Sequence, residues 1–393
     1  MMINNGKSLA YKLILTIVLV VSSIHLSYSQ EPLPFRNQIS KVFHSKVLNE
    51  DRQFWIYLPE GYDKGNKLYP VIYLLDPDQN FAYVTEMERF LSDRYRMPKS
   101  IVVGIVNTDR VRDFTPVHSM TFHGNFDNSL RNTGGAKKFL SFLQQEAVPF
   151  IESNFRTAPY RTLEGHSLGG LFSLYCKNEA PEMFQSYIII SPAIYDGNMA
   201  ILQQFSEALQ KNISRIGYLH LSIGDEPDGF GPVRTLNENL KKYADNKLIW
   251  NFKQYSNEDH FSVGYQSMYD GLKFIYSKWF LDPRDTSKVK SYMDIKTHFE
   301  TLSELYGYQV IPDEDFVNES GYQRLNNNDF VHAIEIFTEN VKNNPQSANA
   351  YDSLGEAYMK SGNKNSAIKN YEKSIKLDPH NQNAVHMLQE LKK

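Results

Sequence analysis

The chain has 393 residues, 41% hydrophobic and 22% charged, with a formal net charge of −3. This is a globular composition, long enough for two or three domains, and it lacks the basic surplus that would point to a nucleic-acid partner. A single cysteine, Cys176, excludes an internal disulfide framework, and the apolar run around it marks a buried thiol.

Residues 1–29 have the order of a secretory signal. Lys7 and Lys12 precede an apolar run over 13–21, and Ser27-Tyr28-Ser29 follows. The run is well short of the roughly 20 residues needed to cross a bilayer. Cleavage is therefore expected rather than a lasting membrane span, and no cysteine follows to carry a lipid. Loss of the two lysines takes the chain from −3 to −5. The expected location is exported, periplasmic or extracellular.

Residues 36–281 alternate strand-like and helix-like segments. Short runs rich in Val, Ile, Leu and Tyr, bounded by Pro, Gly or Asp, predict strands over 54–58, 69–75, 100–106, 162–164, 187–191, 218–223 and 248–255. The clearest helix is predicted over 136–155, where Phe139, Phe142, Leu143, Val148 and Ile151 fall at roughly helical spacing. Such alternation predicts the α/β class, a mostly parallel sheet with helices on both faces.

Residues 282–312 read as a linker with a helix over 292–305. Residues 313–393 repeat themselves. A shift of 34 pairs Gly321 with Gly355, Ala333 with Ala367, Phe337 with Tyr371 and Pro345 with Pro379. This pattern resembles the tetratricopeptide repeat and predicts a small all-α tail. Its unit over 347–380 is the clearer, and 384–391 reads as a capping helix. Two roles stay open for the tail, binding a protein partner or packing within the molecule.

The strongest chemical signal is Gly165-His166-Ser167-Leu168-Gly169-Gly170, between a predicted strand and an apolar helix. In that setting G-x-S-x-G is a nucleophile elbow, a tight turn that exposes the Ser167 hydroxyl. Side chains at the flanking Gly165 and Gly169 are expected to clash with neighbouring backbone. The amide of Leu168, opening the helix, is the expected first donor to an oxyanion. A serine hydroxyl needs a base. His260 lies in the loop after the strand over 248–255, at the edge where such a sheet carries its chemistry, whereas His220 lies inside a strand. An acid to orient His260 is expected after the strand over 218–223. Asp225, Glu226 and Asp228 compete there, and spacing does not separate them. Glu226 is preferred and Asp225 is the alternative.

These residues, with Leu58-Pro59-Glu60-Gly61-Tyr62, the run ending Leu74-Leu75-Asp76, Asn107-Thr108-Asp109-Arg110, Gly134-Gly135, Ser191-Pro192 and Asp259-His260, resemble the putative-esterase family of α/β-hydrolases. That family groups esterase D, siderophore esterases, feruloyl and acetyl-xylan esterase domains and mycolyltransferases. The resemblance implies Ser167 as nucleophile and His260 as base, and it supports Glu226, two residues past a strand-ending Gly. The chain departs from it where Leu75-Asp76-Pro77-Asp78 replaces Leu-Asp-Gly. The second oxyanion donor is expected in this loop; Pro77 has no N–H, so Asp78 is the candidate. Arg110 and Arg112-Asp113 have two readings, recognition of an acidic substrate group or an ion pair beneath the site. Phe81, Tyr195 and Phe230 are candidate pocket walls. The resulting expectation is a serine ester hydrolase that needs no metal or organic cofactor, acting on a small-molecule or polysaccharide-linked ester. An acyltransferase of the same fold and an envelope scaffold working through the repeats are the rivals.

Overall fold

The computed structural model describes residues 38–63, 65–122, 124–195, 199–210 and 217–393, so the expected signal segment lies outside the described residues. Eight strands form one sheet in the order β1-β2-β4-β3-β7-β8-β9-β10. They are β1 (Gln38–Ser45), β2 (Glu50–Tyr57), β3 (Tyr69–Leu75), β4 (Ile101–Ile105), β7 (Thr157–His166), β8 (Ser186–Ile190), β9 (Gly217–Ile223) and β10 (Leu248–Gln254). β2 runs antiparallel to β4, and from β4 through β10 every pairing is parallel. A separate two-stranded ribbon, β5 (Thr121–Phe122) with β6 (Asn125–Phe126), has no counterpart among the expected strands.

β3 is buried along its whole length because both of its faces are covered. Ile72 and Leu74 join the cluster beneath the helices Pro77–Ser92 and Val263–Ile275. Tyr73 points the other way and meets Phe184 edge-on. Pro70 sits in a central strand, where a missing N–H would break the ladder. The register between β3 and β7 shifts between Tyr69 and Val71 and accommodates it. That irregularity, with Pro159 and Arg161 in the partner, hid most of β7 from the alternation pattern, which gave only 162–164.

The helix expected over 136–155 is interrupted. Ala136–Phe142 passes into a π turn, Leu143–Ala147, and then Val148–Asn154. Pro149 lacks an N–H and cannot close a bond to the preceding turn, and a π turn absorbs the mismatch. Across that helix the side chain of Arg52, fully buried, pairs with Asp113 at 2.7 Å and Glu50 at 2.8 Å, and lies over the rings of Phe139 and Phe142. Arg112 completes the network through Glu50 and Asp113. The Arg112-Asp113 pair is thereby structural.

The linker helix docks on the sheet, and the first tail helix packs beside it. In helix Tyr292–Tyr306, Tyr306 packs among Tyr160, Tyr276 and Trp279 with ring centroids 5.3–5.6 Å apart, and its hydroxyl donates to the Ile275 carbonyl at 2.9 Å. Helix Glu314–Asn326 sets Phe316 edge-on to Tyr95 and receives a hydrogen bond from the Tyr95 hydroxyl at Glu319. Lys67, two residues before β3, pairs with Asp313. Helices Phe330–Asn343, Ala348–Lys360, Lys364–Leu377 and Gln382–Lys392 complete the tail. A Cβ at Gly321 would stand 2.5 Å from the Phe337 ring, and one at Gly355 would stand 3.0 Å from Tyr371. These contacts explain the small-against-aromatic pairing in the repeat pattern. No helix among the described residues is long and apolar enough to cross a membrane.

Glu164 in β7 is fully buried, with the Asn80 side chain as its hydrogen-bonding neighbour. Burial, and secondly the charge of Asp76, push its pKa well above the ordinary 4.5. The folded chain therefore holds a proton that the unfolded chain releases above about pH 4.5, so this group lowers stability as pH rises beyond that point. Glu164→Gln is expected to melt higher than the wild type at pH 8 and to approach it at pH 5. A Tm difference that does not change with pH would show that Glu164 is ionised in the fold.

Candidate active site

Three loops meet at the carboxyl edge of the sheet. The first is the turn between β7 and helix Leu168–Glu179, where Ser167 adopts φ 59° and ψ −117°. That positive-φ conformation is costly for a non-glycine residue. The turn is held by its surroundings: the Ser167 amide donates to Ile190 O at 2.9 Å, and Ser167 O accepts from Leu171 and Ala193 at 3.0 Å. A Cβ at Gly165 would sit 2.2 Å from the Gly169 carbonyl oxygen, and one at Gly170 would sit 2.9 Å from that of Ile190. At Gly169 the nearest atom would be 3.4 Å away, an ordinary contact. The expected clash at Gly169 is thus corrected; the crowded pair is Gly165 and Gly170, because the first turn of the helix folds back over Gly165.

The second loop follows β9. A Cβ at Gly224 would stand 2.6 Å from Glu258 O, so only glycine lets this loop approach the one after β10. The Asp225 amide uses that proximity to donate to Glu258 O at 2.6 Å, which leaves the Asp225 side chain exposed and turns Glu226 inward. The side chains of Asp228 and Phe230 lie outside the described residues.

The third loop carries His260. Asp259 accepts the amides of Phe261 at 2.9 Å and Ser262 at 2.8 Å, fixing the turn into helix Val263–Ile275. His260 Nε2 lies 3.0 Å from Ser167 Oγ, and His260 Nδ1 lies 2.7 Å from Glu226 Oε2. The other carboxylate oxygen of Glu226 accepts the Ser191 hydroxyl at 2.6 Å and the Gly224 amide at 3.3 Å. Burial works against the charge on Glu226, but the hydrogen bonds from His260 and Ser191 outweigh it and hold the carboxyl below its usual range. The His166 ring stands 4.9 Å from that of His260, and burial, aided by His260, lowers its pKa to about 4. An uncharged imidazole therefore flanks His260 at neutral pH.

The structure thus brings Ser167, His260 and Glu226 into one hydrogen-bonded row. The sequence profile of the Putative esterase family matches residues 45–265. The chain belongs to that family. This esterase is 31% identical over 237 residues to the ferri-bacillibactin esterase BesA of Bacillus subtilis, a match spanning 55% of this chain and 82% of the relative. It is 28% identical over 259 residues to a siderophore enterobactin esterase of Emericella nidulans, across 55% of this chain and 85% of that one. Among solved structures, an IroE-like serine hydrolase from Shewanella oneidensis superposes with a TM-score of 0.68 at 30% identity, covering 76% of this chain and 97% of its own. A tetratricopeptide repeat matches residues 348–381. The protein is a carboxylic ester hydrolase of the α/β type with a repeat-bearing tail.

Some of the other expected site residues of the esterase fall elsewhere. Phe81 is a core ring, 3% exposed and edge-on to Trp55, not a pocket wall. It lies on the apolar face of helix Pro77–Ser92 with Val84 and Leu91, a periodicity that could have assigned it to the core. Arg110 does not offer a free guanidinium to substrate. It grips Asp76 at 2.7 and 2.8 Å and donates to His166 O at 3.3 Å. Tyr195 is half-exposed, two residues beyond Ala193. Leu168 and Asp78 each stand in the first turn of a helix, where an N–H has no intrahelical acceptor. Pro77, at the first position of its helix, packs against β4, where a Cβ at Gly104 would stand 2.5 Å from it. His220 is structural, bonded to Asn251 at 2.8 Å and Ser267 at 3.3 Å. Sequence reasoning assigned no role to Ser191, whose φ of 42° turns its hydroxyl to Glu226.

Proposed function

We propose that this chain is an exported serine esterase that cleaves siderophore esters through an acyl-enzyme on Ser167. The observation that carries the reading is the row from Ser167 Oγ to His260 at 3.0 Å and on to Glu226 at 2.7 Å. The names of its bacterial and fungal relatives favour siderophore esters as the substrate class. His260 Nε2 takes the Ser167 proton as the oxygen attacks the ester carbonyl. Glu226 holds the Nδ1 proton in place and stabilises the imidazolium that forms. The amides of Leu168 and Asp78 receive the oxyanion. His260 then protonates the departing alcohol, and water activated by the same ring releases the acid. In this reading residues 1–29 are removed on export, 36–281 form the catalytic part, 282–312 a helical linker, and 313–393 offer a surface to a protein partner.

The test is a fluorophosphonate probe on the purified protein, followed by a panel of siderophore, feruloyl, acetyl and p-nitrophenyl esters. The expected result is one adduct, on Ser167, and fastest turnover of a siderophore ester. A folded sample that neither labels nor turns over any ester would leave a scaffold; products carried to an added alcohol would make it a transferase. Ser191→Ala should lower kcat about tenfold at constant KM, as expected for loss of a hydrogen bond to a charged group. Unchanged kinetics would make Ser191 a bystander.

A further inference from the structure

Asp76 closes β3 in the left-handed conformation, φ 54°, and is only 2% exposed. Its carboxylate lies against the nucleophile helix, since a Cβ at Gly169 would come 3.4 Å from Asp76 Oδ2. An anion there draws on the same positive helix terminus that an oxyanion at Ser167 needs. The second carboxyl beside it, Glu164, is fully buried and supplies no countercharge. The countercharge comes from Arg110, which forks onto both oxygens of Asp76 at 2.7 and 2.8 Å, while Asn107 donates to Oδ1 at 2.6 Å. The same guanidinium donates to the carbonyl of His166, the residue before Ser167, at 3.3 Å. One side chain therefore ties the loop leading to Pro77 and Asp78 to the elbow itself.

We propose that Arg110 is a positioning residue for ester hydrolysis: it fixes the two loops flanking the Ser167 hydroxyl against each other and neutralises the carboxylate packed on the nucleophile helix. This rests on Ser167 being the nucleophile.

The test compares steady-state hydrolysis of p-nitrophenyl butyrate by the wild type, R110Q, R110K and D76N/R110Q, with Tm followed for each. R110Q is expected to lose about a hundredfold in kcat while KM stays within about threefold, the mark of misplaced reacting groups rather than lost substrate binding. D76N/R110Q, with both buried charges gone and an Asn that tolerates the left-handed region, is expected to recover about tenfold over R110Q. A kcat for R110Q within about threefold of wild type overturns the inference, as does a double variant no faster than R110Q. Should R110Q fail to melt cooperatively, R110K, which keeps the charge and loses the fork, carries the test. A loss of about tenfold in kcat at constant KM then supports the role, and a loss below about threefold rejects it. Labelling of wild-type Ser167 is measured in parallel. If that fails, the nucleophile reading falls; if it holds while R110Q is indifferent, only the role of Arg110 falls.

Discussion

Ser167→Ala is expected to cut ester turnover by a factor on the order of 10⁵–10⁶, the size seen when a serine hydrolase loses its nucleophile. The hydroxyl contributes no buried packing that alanine would forfeit. Its Oγ contact is with His260, at 3.0 Å. The positive-φ backbone of the turn is set by hydrogen bonds of the Ser167 amide and carbonyl, which alanine keeps. Tm should therefore stay close to that of the wild type. Activity that survives the substitution would reject Ser167 as nucleophile and turn attention to water attack.

Glu226→Gln is the second large effect, expected to lower kcat about 10⁴-fold, as when a triad carboxylate becomes an amide and the imidazole is held in the wrong tautomer. The amide also loses half of its acceptor capacity, although the Ser191 hydroxyl and the Gly224 amide both require one on that side chain. Asp225→Asn is the control: its side chain is exposed and only its amide is engaged, with Glu258. It should retain turnover within about threefold, because a solvated surface charge costs little to remove. If the two variants exchange these outcomes, the acid has been misassigned.

The elbow was legible because its requirements are local: a strand, two glycines that backbone contact leaves no room to replace, and an apolar helix. The partners of Ser167 were legible in outline because β7, β9 and β10 run parallel and deliver their following loops to one edge. Spacing alone did not separate Asp225 from Glu226; the family resemblance favoured Glu226, while the physical reason lies in how Gly224 lets two loops close and which amide then meets Glu258. The cluster of Asp76, Asn107 and Arg110 was not legible, being assembled from segments more than thirty residues apart. The repeat could be read in the tail, but not where the tail rests, because its docking residues are aromatic side chains that look alike in any core.

That resting place has a consequence for anyone wishing to trim the molecule. Tyr306 and Phe316 fill hollows lined by Tyr160, Tyr276, Trp279 and Tyr95, and Lys67 binds Asp313 at the rim opposite Ser167. A gene stopped at residue 281 would encode every member of the hydrogen-bonded row yet leave those rings bare to solvent. Such a fragment is expected to precipitate during purification. The C-terminal third is part of the esterase's own foundation.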